Sequence, residues 1–513
     1  MVCDKENSAI YRLACDVKKI LDHLQIEVIA VHPKRPDSEQ LADFEAKVRE
    51  ADIVSFEYWR TALLLLDLYP DELQDKPKML CHYNPYNLTE DDWKQFDKMT
   101  VCNKEMKGVL KEAELVPLAI DLSRFKYNRE MTNNKVVQMV SSRIESKKGV
   151  LPVAQVCKDL GYKLLLIGSV SDGDYIKQVL DTGIVEFREQ VSEEDLIKSY
   201  SKATVHVCNS VDGYESGTMP IMEAMACGLP VLTRSIGHVP EINNGENMIV
   251  RKGDSDDLED LKTELKKLME NKEKREKIRG AALKTVRTRS DLRRAYQYEK
   301  LFYKLMWPDK ELVSVIIPTF NRKEWLAKVL ESVCLNDWPA KEIIICDDGS
   351  SDGTDIFVKK FREAVGIPIK YLNTGTPDEY NLGLARNLGI IRATGNILIF
   401  LDDRYYADPK MISTFVEKLT PKKWLYGNKG YDKGFIENVS CIYRQELIDA
   451  GMFNSTIKLY GFQTQELRNR FTRLGFRLEG VDARVKILFD TKNKYRKLDE
   501  IKEAKDVLWR LNL

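Results

Sequence analysis

Short runs rich in Val, Ile and Leu alternate along most of this chain with longer stretches whose apolar positions recur at helical spacing. That is the pattern of parallel strands buried beneath helices. Before a polar break at 128–134, strands are expected at 26–32, 52–57, 79–83, 100–103 and 115–120. A second set follows at 136–140, 164–168, 184–187, 204–208, 231–234 and 248–250. From about 255 to 305 the pattern is helical and dense in Lys, Arg and Glu; it stops at Trp307-Pro308-Asp309, where proline disfavours continuation. Strands resume at 313–317, 342–347, 369–372 and 397–401. The expected fold class is α/β, with three doubly wound units over 1–128, 129–308 and 309–513.

Composition narrows the classes without naming one. At 513 residues the chain exceeds what a single core usually supports, and 43% hydrophobic with 31% charged residues fits an ordinary globular protein rather than a disordered or fibrous one. Lys plus Arg and Asp plus Glu both number 80, so no overall cationic field exists to attract a nucleic acid, and an anion site must be local. The ten cysteines are scattered without a C-x-x-C pair, and no secretory leader pattern is read, so a reducing cytosol is the expected compartment. The apolar run 61–68 is far too short to span a bilayer, which leaves peripheral contact on the cytosolic face as the expected form of any membrane association. The basic stretch 262–294 is expected to be a solvated helix face, with docking to anionic lipid as the alternative.

One chemical constellation lies in the second unit. The segment Gly213-Tyr-Glu-Ser-Gly-Thr-Met-Pro-Ile-Met-Glu223 joins a glycine-bearing loop to the start of an apolar helix. Free backbone N–H groups and the dipole there favour an anion, and glycine permits close approach by a phosphate. Glu215 and Glu223 bracket the loop with carboxylates that can accept from sugar hydroxyls. Upstream, Arg143 and Lys148-Gly149 follow a strand, placed to reach a diphosphate.

The joint order of Arg143, Lys148-Gly149, Glu215-x7-Glu223, the run on to Val231, and Gly237-His-Val-Pro-Glu241 resembles the family 4 glycosyltransferases over about 1–305. The resemblance implies a retaining enzyme of GT-B fold, with a nucleotide sugar held between two Rossmann-like units and no metal cofactor. It further implies that Arg143 and Lys148 neutralise the departing diphosphate, that Glu223 holds the ribose, and that Glu215 with Ser216, Gly217 and Thr218 faces the transferred sugar. His82, at a strand end, corresponds to a histidine near the donor sugar. The first unit departs from the family in lacking a glycine-rich loop near its start.

A second constellation is acidic. Thr319 ends one apolar run, Asp347 and Asp348 end the next, and Asp402 and Asp403 end a third. Open α/β sheets bind ligands at the carboxyl ends of their strands, and adjacent acids there are costly unless a cation shares them. The order of these segments, with Leu384-Ala-Arg386-Asn-Leu388 between them, resembles the family 2 glycosyltransferases of GT-A fold, a single doubly wound mixed sheet, over about 310–490. The resemblance implies that Thr319, Asp347 and Asp348 bind the nucleotide, that Arg386 lies near the donor, and that Asp402 and Asp403 hold Mn2+ or Mg2+. Two departures stand out. Arg404 occupies the second acidic position of a D-x-D motif, and Gln463-Thr464 stands where inverting members carry Glu-Asp, leaving Glu466 as the substitute base.

The sequence reading is thus a bifunctional glycosyltransferase, a retaining GT-B module followed by a nominally inverting GT-A module, taking UDP- or GDP-sugars to a growing glycan or a lipid-linked acceptor. The alternative keeps only the GT-B module catalytic and makes the second module an acceptor-binding or assembly domain. A Rossmann-type oxidoreductase is disfavoured because no G-x-G-x-x-G follows the first strand.

Overall fold

The most apolar runs become strands buried on both faces, and side-chain alternation divides their residues between two cores. Val313, Val315 and Ile317 point into one core and Ile316 into the other, as expected for a central strand covered by helices on each side. A computed structural model describes residues 1–6, 8–82, 88–127, 134–189, 191–215, 217–375, 381–428, 438–456 and 462–488, the side chains of His82 and Phe462 excepted. The chain divides into two compact units. One comprises Met1–Asp22 and Ile26–Leu305; the other comprises His23–Gln25 and Met306–Leu513.

The first unit contains two parallel sheets. β1 (Val2–Cys3), β2 (Ile29–Ala30), β3 (Val54–Phe56), β4 (Lys78–His82), β5 (Lys98–Val101) and β6 (Glu114–Leu115) are arranged in the order β2-β1-β3-β4-β5-β6. β7 (Val136–Ile144), β8 (Lys163–Val170), β9 (Val185–Arg188), β10 (Val205–Cys208), β11 (Val231–Thr233) and β12 (Ile249–Val250) form the second, ordered β12-β11-β10-β7-β8-β9. β1 was not expected, because two residues carry no periodicity. The expected strand at 115–120 shrinks to β6, and its far end instead bridges Ile120 to Ser290.

That bridge leads into the helix Asp291–Met306, which crosses back onto the first sheet. Tyr298 Oη donates to Glu57 Oε2 at 2.8 Å, and Arg294 Nη2 donates to Tyr298 Oη at 2.9 Å, all three residues being buried. The two halves of the first unit are therefore stapled through a polar contact inside an apolar seam. Several cations of the preceding basic stretch have neighbours of opposite charge, including Lys262 with Asp159 and Lys277 with Glu273.

The second unit holds one mixed sheet: β13 (Val313–Thr319), β14 (Lys341–Asp347), β15 (Ile369–Asn373), β16 (Ile397–Leu401), β17 (Tyr405–Ala407), β18 (Lys423–Asn428), β19 (Val439–Tyr443) and β20 (Arg477–Ile487). Their order is β15-β14-β13-β16-β19-β18-β20-β17, parallel from β15 to β16 and antiparallel where β19 joins β16. The last four strands escaped the sequence reading. β20 shows why: it alternates buried Ala483 and Val485 with exposed Arg484 and Lys486 and reads as a charged segment.

Candidate active sites

β7 ends where the polar chemistry of the first unit begins. The chain turns through Ser146–Lys148 and enters the helix Val150–Leu160 at Gly149, whose φ of +60° is the left-handed conformation that favours glycine. A Cβ at Gly149 would also lie 2.3 Å from the backbone oxygen of Asn209, so this turn is seated directly on the loop after β10. Across that contact Lys148 Nζ donates to Glu215 Oε1 at 2.5 Å, with both side chains mostly buried (13% and 12% exposed). Ser210 Oγ donates to the same oxygen at 2.7 Å.

The Tyr214 ring collects cations. Lys148 Nζ lies 5.0 Å and the Arg143 guanidinium 5.7 Å from its centroid, within cation–π range. Burial, reinforced by donation to Glu145, pushes the Tyr214 hydroxyl up to about 12. Arg143 itself is 64% exposed, so its charge faces solvent beside the Lys148–Glu215 pair. Two buried arginines hold the loop from beneath. Arg234 donates to the Ser210 carbonyl at 3.0 Å and to Asp212 at 3.0 Å, while Arg251 donates to Asn209 Oδ1 at 2.6 Å.

At the start of the helix Met219–Ala226, the Thr218 N–H donates to His238 Nδ1 at 3.1 Å. An accepting Nδ1 requires a neutral ring with its proton on Nε2, and burial drives the His238 pKa down to about 4. Thr218 Oγ1 and His238 Nε2 are buried and have no hydrogen-bond partner among the described residues. Buried polar atoms without partners are uncommon and mark a place where a ligand or water completes the set. A Cβ on Gly217 would approach Leu118 Cδ1 to 2.1 Å, so this glycine permits close packing against the first half of the unit. Ser216 lies outside the described residues; β4 ends at His82, whose side chain lies outside them too.

Glu223 occupies a different cluster from Glu215. It is buried one turn into the helix, accepts from Tyr200 Oη at 2.7 Å, and is raised above the usual carboxylate range by burial. It lines a cavity together with Arg12, Asp16, Arg124 and Glu193. There Arg124 Nη2 holds Asp16 at 2.6 Å and Arg124 Nη1 reaches Glu193 at 3.1 Å.

In the second unit, parallel register sets Thr319 of β13 directly beside Asp347 of β14, and β16 runs alongside to deliver Asp402 and Asp403. Thr319 Oγ1 donates to Asp403 Oδ2 at 2.9 Å and Arg322 Nη1 to Asp403 Oδ1 at 2.8 Å. Asp403 is 2% exposed, and burial raises its pKa against the opposing pull of Arg322. Arg386 Nη2 donates to Asp402 Oδ1 at 2.9 Å and Asn438 Nδ2 to Asp402 Oδ2 at 2.7 Å. Asp347 accepts from Ser350 N at 2.7 Å and Tyr371 Oη at 2.5 Å. Asp348, also raised by burial, accepts from Asn381 N at 2.7 Å and Thr374 Oγ1 at 3.2 Å.

These contacts decide the fit of a metal. Both oxygens of Asp402 and both of Asp403 are met by hydrogen-bond donors, two of them guanidinium groups. No group of three His, Cys, Asp or Glu suited to an ion exists among the described residues. The expected Mn2+ or Mg2+ site at Asp402 and Asp403 therefore does not fit the donor set, since a hard cation needs carboxylate oxygens turned toward it. Glu466 lies in the helix Phe462–Arg473 and is gripped by Arg470, with Nε at 2.9 Å and Nη2 at 2.5 Å, an i,i+4 pair that opposes the freedom needed by a base. Gln463 and Thr464 beside it are buried.

Sequence reasoning selected Lys148, Glu215, Thr319, Arg386 and the four aspartates, and the structure brings them into these two clusters. It missed Tyr214, His238, Arg322 and Asn438 as site residues. Tyr214 and His238 stand inside the quoted motifs and Arg322 follows Thr319 by three residues, whereas Asn438 follows a segment with no recognisable pattern.

Comparison with known proteins finds a family match in each half of the chain. Residues 120–285 match the family model Glycosyl transferases group 1, and residues 314–426 match Glycosyl transferase family 2. The chain carries two glycosyltransferase family matches. Among curated proteins it is 34% identical over 134 residues to GalNAc(5)-diNAcBac-PP-undecaprenol beta-1,3-glucosyltransferase of Campylobacter jejuni, covering 26% of this chain and 39% of that one. It is 32% identical over 130 residues to the Escherichia coli UDP-Glc:alpha-D-GlcNAc-diphosphoundecaprenol beta-1,3-glucosyltransferase WfaP, covering 25% and 49%. It is 30% identical over 103 residues to Poly(ribitol-phosphate) beta-N-acetylglucosaminyltransferase TarS of Staphylococcus aureus, covering 19% and 17%. The chain thus spans less than half the length of each of these relatives. A glycosyltransferase structure from Rickettsia africae superposes with a TM-score of 0.49 at 16% identity, covering 60% of this chain and 98% of that one. No helix among the described residues is long and apolar enough to cross a membrane.

Proposed function

We propose that the chain is a glycosyltransferase of polysaccharide or glycoconjugate biosynthesis with two donor sites, one in each family-matched stretch. The observation that carries this reading is placement: in both stretches the charged residues converge at the carboxyl ends of parallel strands, where open α/β sheets take their ligands. In the first site Lys148 supplies a cation held in register by Glu215, and Arg143 adds a second at the rim. Together they stabilise charge on a departing diphosphate, as a fixed donor does where charge develops. Thr218 Oγ1 and His238 Nε2, without partners among the described residues, offer a hydroxyl and an N–H to the ligand at the helix start. Donors are UDP- or GDP-sugars and the acceptor is a growing glycan or a lipid-linked saccharide, reached on the cytosolic face.

Turnover of a panel of nucleotide sugars by wild type, Lys148→Ala and Asp402→Ala tests this. The expected result is loss of one donor activity in Lys148→Ala and of a different one in Asp402→Ala. If Asp402→Ala retains every wild-type activity, the second donor site is lost from the proposal. The grip of Arg470 on Glu466 and the Gln463-Thr464 pair favour the alternative in that case, a second unit that binds acceptor without transferring sugar.

A further inference from the structure

Glu223 has one of its two carboxylate oxygens engaged by a described residue. Tyr200 Oη donates to Oε2 at 2.7 Å, no described residue donates to Oε1, and the side chain lines the cavity shared with Arg12, Asp16, Arg124 and Glu193. Tyr200 itself is fully buried, and among the described residues its hydroxyl meets Glu223 alone. Its ring lies 6.4 Å from that of Phe125, which is also on the cavity wall, and 6.0 Å from that of His206. The His206 nitrogens make no hydrogen bond among the described residues, so they do not compete for the hydroxyl. Burial beside a carboxylate holds the Tyr200 hydroxyl well above the ordinary tyrosine range, which keeps it a donor. The helix Glu193–Ser201 that carries it is fixed at both ends. Ser192 Oγ caps its start by accepting from Asp195 N at 3.1 Å, and Arg124 grips Glu193 at 3.1 Å. Near its end Gln138 Nε2, on β7, donates to Ser199 Oγ at 2.7 Å.

We infer that Tyr200 is a positioning residue of the first donor site: its hydroxyl ties down Glu223 Oε2 and keeps the carboxylate ionised, so that Oε1 accepts from a hydroxyl of the bound nucleotide sugar. This rests on the donor-site reading of that unit. Burial by itself favours the neutral carboxyl, and it is the largest influence on Glu223; donation from Tyr200 is the strongest influence in the other direction. An ionised oxygen accepts a shorter and stronger hydrogen bond than a neutral one, so whatever keeps Glu223 charged strengthens its hold on a ligand hydroxyl. The remaining charged groups around it come from several elements. Arg12 of the first helix and Arg124 favour the carboxylate, Glu193 opposes it, and Cys227, one turn on in its own helix, is pushed up to about 12 by burial and stays neutral. Tyr200 acts through Glu223, and it forms no bond and moves no proton in the reaction.

Calorimetric titration of UDP and GDP into the full-length chain, read as the binding that Lys148→Ala removes, tests the inference. Tyr200→Phe keeps the ring and deletes the hydroxyl, and it is expected to weaken this binding roughly tenfold. In a Glu223→Gln background the same change is expected to cost little, because no carboxylate charge remains to be held. A loss of similar size in both backgrounds, or no loss in either, overturns the inference and leaves the donor site standing. The pH profile supplies a readout that a merely structural tyrosine would not move. Affinity is present while Glu223 is ionised and falls as pH drops through its pKa; without the Tyr200 hydroxyl that pKa rises, so the fall is expected at higher pH in Tyr200→Phe than in wild type. Asp16 at about 6 and His238 at about 4 titrate in both proteins and do not produce the difference. Coincident profiles overturn the inference. Binding of neither nucleotide that Lys148→Ala removes overturns the inference and the first donor site together.

Discussion

Lys148 and Glu215 are 67 residues apart in sequence and meet at 2.5 Å, the ammonium and carboxylate joined across the turn at Gly149 and the loop after β10. Neither charge is fully solvated, so each depends on the other for its compensation, and removing one leaves the other partly buried and unpaired. Ser210 remains to hold Glu215 when Lys148 is lost, whereas among the described residues Lys148 keeps only the Tyr214 face when Glu215 is lost. A double-mutant cycle of Lys148→Met and Glu215→Gln, read by urea unfolding, is expected to give a coupling of about 1 kcal/mol or more. A coupling within error of zero would show that the pair is held by its surroundings rather than by mutual attraction.

Gly149 carries both constraints of that turn. Alanine there adds a Cβ against the backbone oxygen of Asn209, which Nδ2 of the same residue cannot vacate while donating to the Gly149 carbonyl at 3.0 Å. The left-handed φ alone costs roughly 1–2 kcal/mol for a non-glycine residue. Gly149→Ala is expected to lower stability by at least that amount and to reduce turnover at the first site. Wild-type unfolding midpoint and turnover in this variant would show that the turn tolerates a side chain.

His238 makes the first site sensitive to acid. Its ring accepts the Thr218 N–H only while neutral, and its folded pKa is depressed from 6.5 to about 4. Between those values the unfolded chain takes up a proton that the folded chain refuses. The stability contributed by the neutral ring is therefore present above the unfolded pKa and is lost as pH falls through that window toward 4. His238→Gln, which keeps an acceptor but cannot titrate, is expected to flatten the fall in stability over that range by up to about 1.4 kcal/mol per pH unit. His206, also buried and depressed to about 3, is present in both proteins and cancels in the comparison. Parallel pH profiles for the two proteins would exclude the histidine as the titrating group.

Much of this architecture was legible because parallel strands are buried on both faces and leave uninterrupted apolar runs. β13, β14 and β16 are of this kind, and their carboxyl ends located Thr319, Asp347 and Asp402 directly. Where only one face is buried the signal fades, as in β20, whose outward charges conceal the strand. Partnership was harder to see than participation. Asp403 stands in a motif that sequence alone picks out and Arg322 only three residues beyond Thr319, but their pairing depends on the alignment of β13 with β16, and that alignment turns an expected metal ligand toward an arginine. Likewise Glu215 and Glu223 appear as one motif eight residues apart, yet one faces Lys148 and the other faces Tyr200.

The buried pair Lys370 and Glu342 offers the plainest test of how the second unit is held together. Lys370 Nζ lies 2.8 Å from Glu342 Oε2, with side chains 3% and 0% exposed, and also donates to Thr394 Oγ1 at 2.7 Å. Glu342 binds the turn into β16 through Oε1, accepting from Ser314 Oγ at 2.5 Å and from Thr394 N at 2.7 Å. A carboxylate with that many donors survives the loss of one better than an isolated ion would, but its cation is still removed from a place water does not reach. Lys370→Met is therefore expected to destabilise the second unit by about 3 kcal/mol, the low end for breaking a buried pair. Combining it with Glu342→Gln should cost less than the sum of the two single changes, because the neutral amide no longer needs the ammonium while it can still accept from Thr394 N. Additive losses in urea unfolding would mean that the backbone donors, not the lysine, compensate Glu342, and that the strand ends bearing Thr319 and Asp347 are fixed independently of this pair.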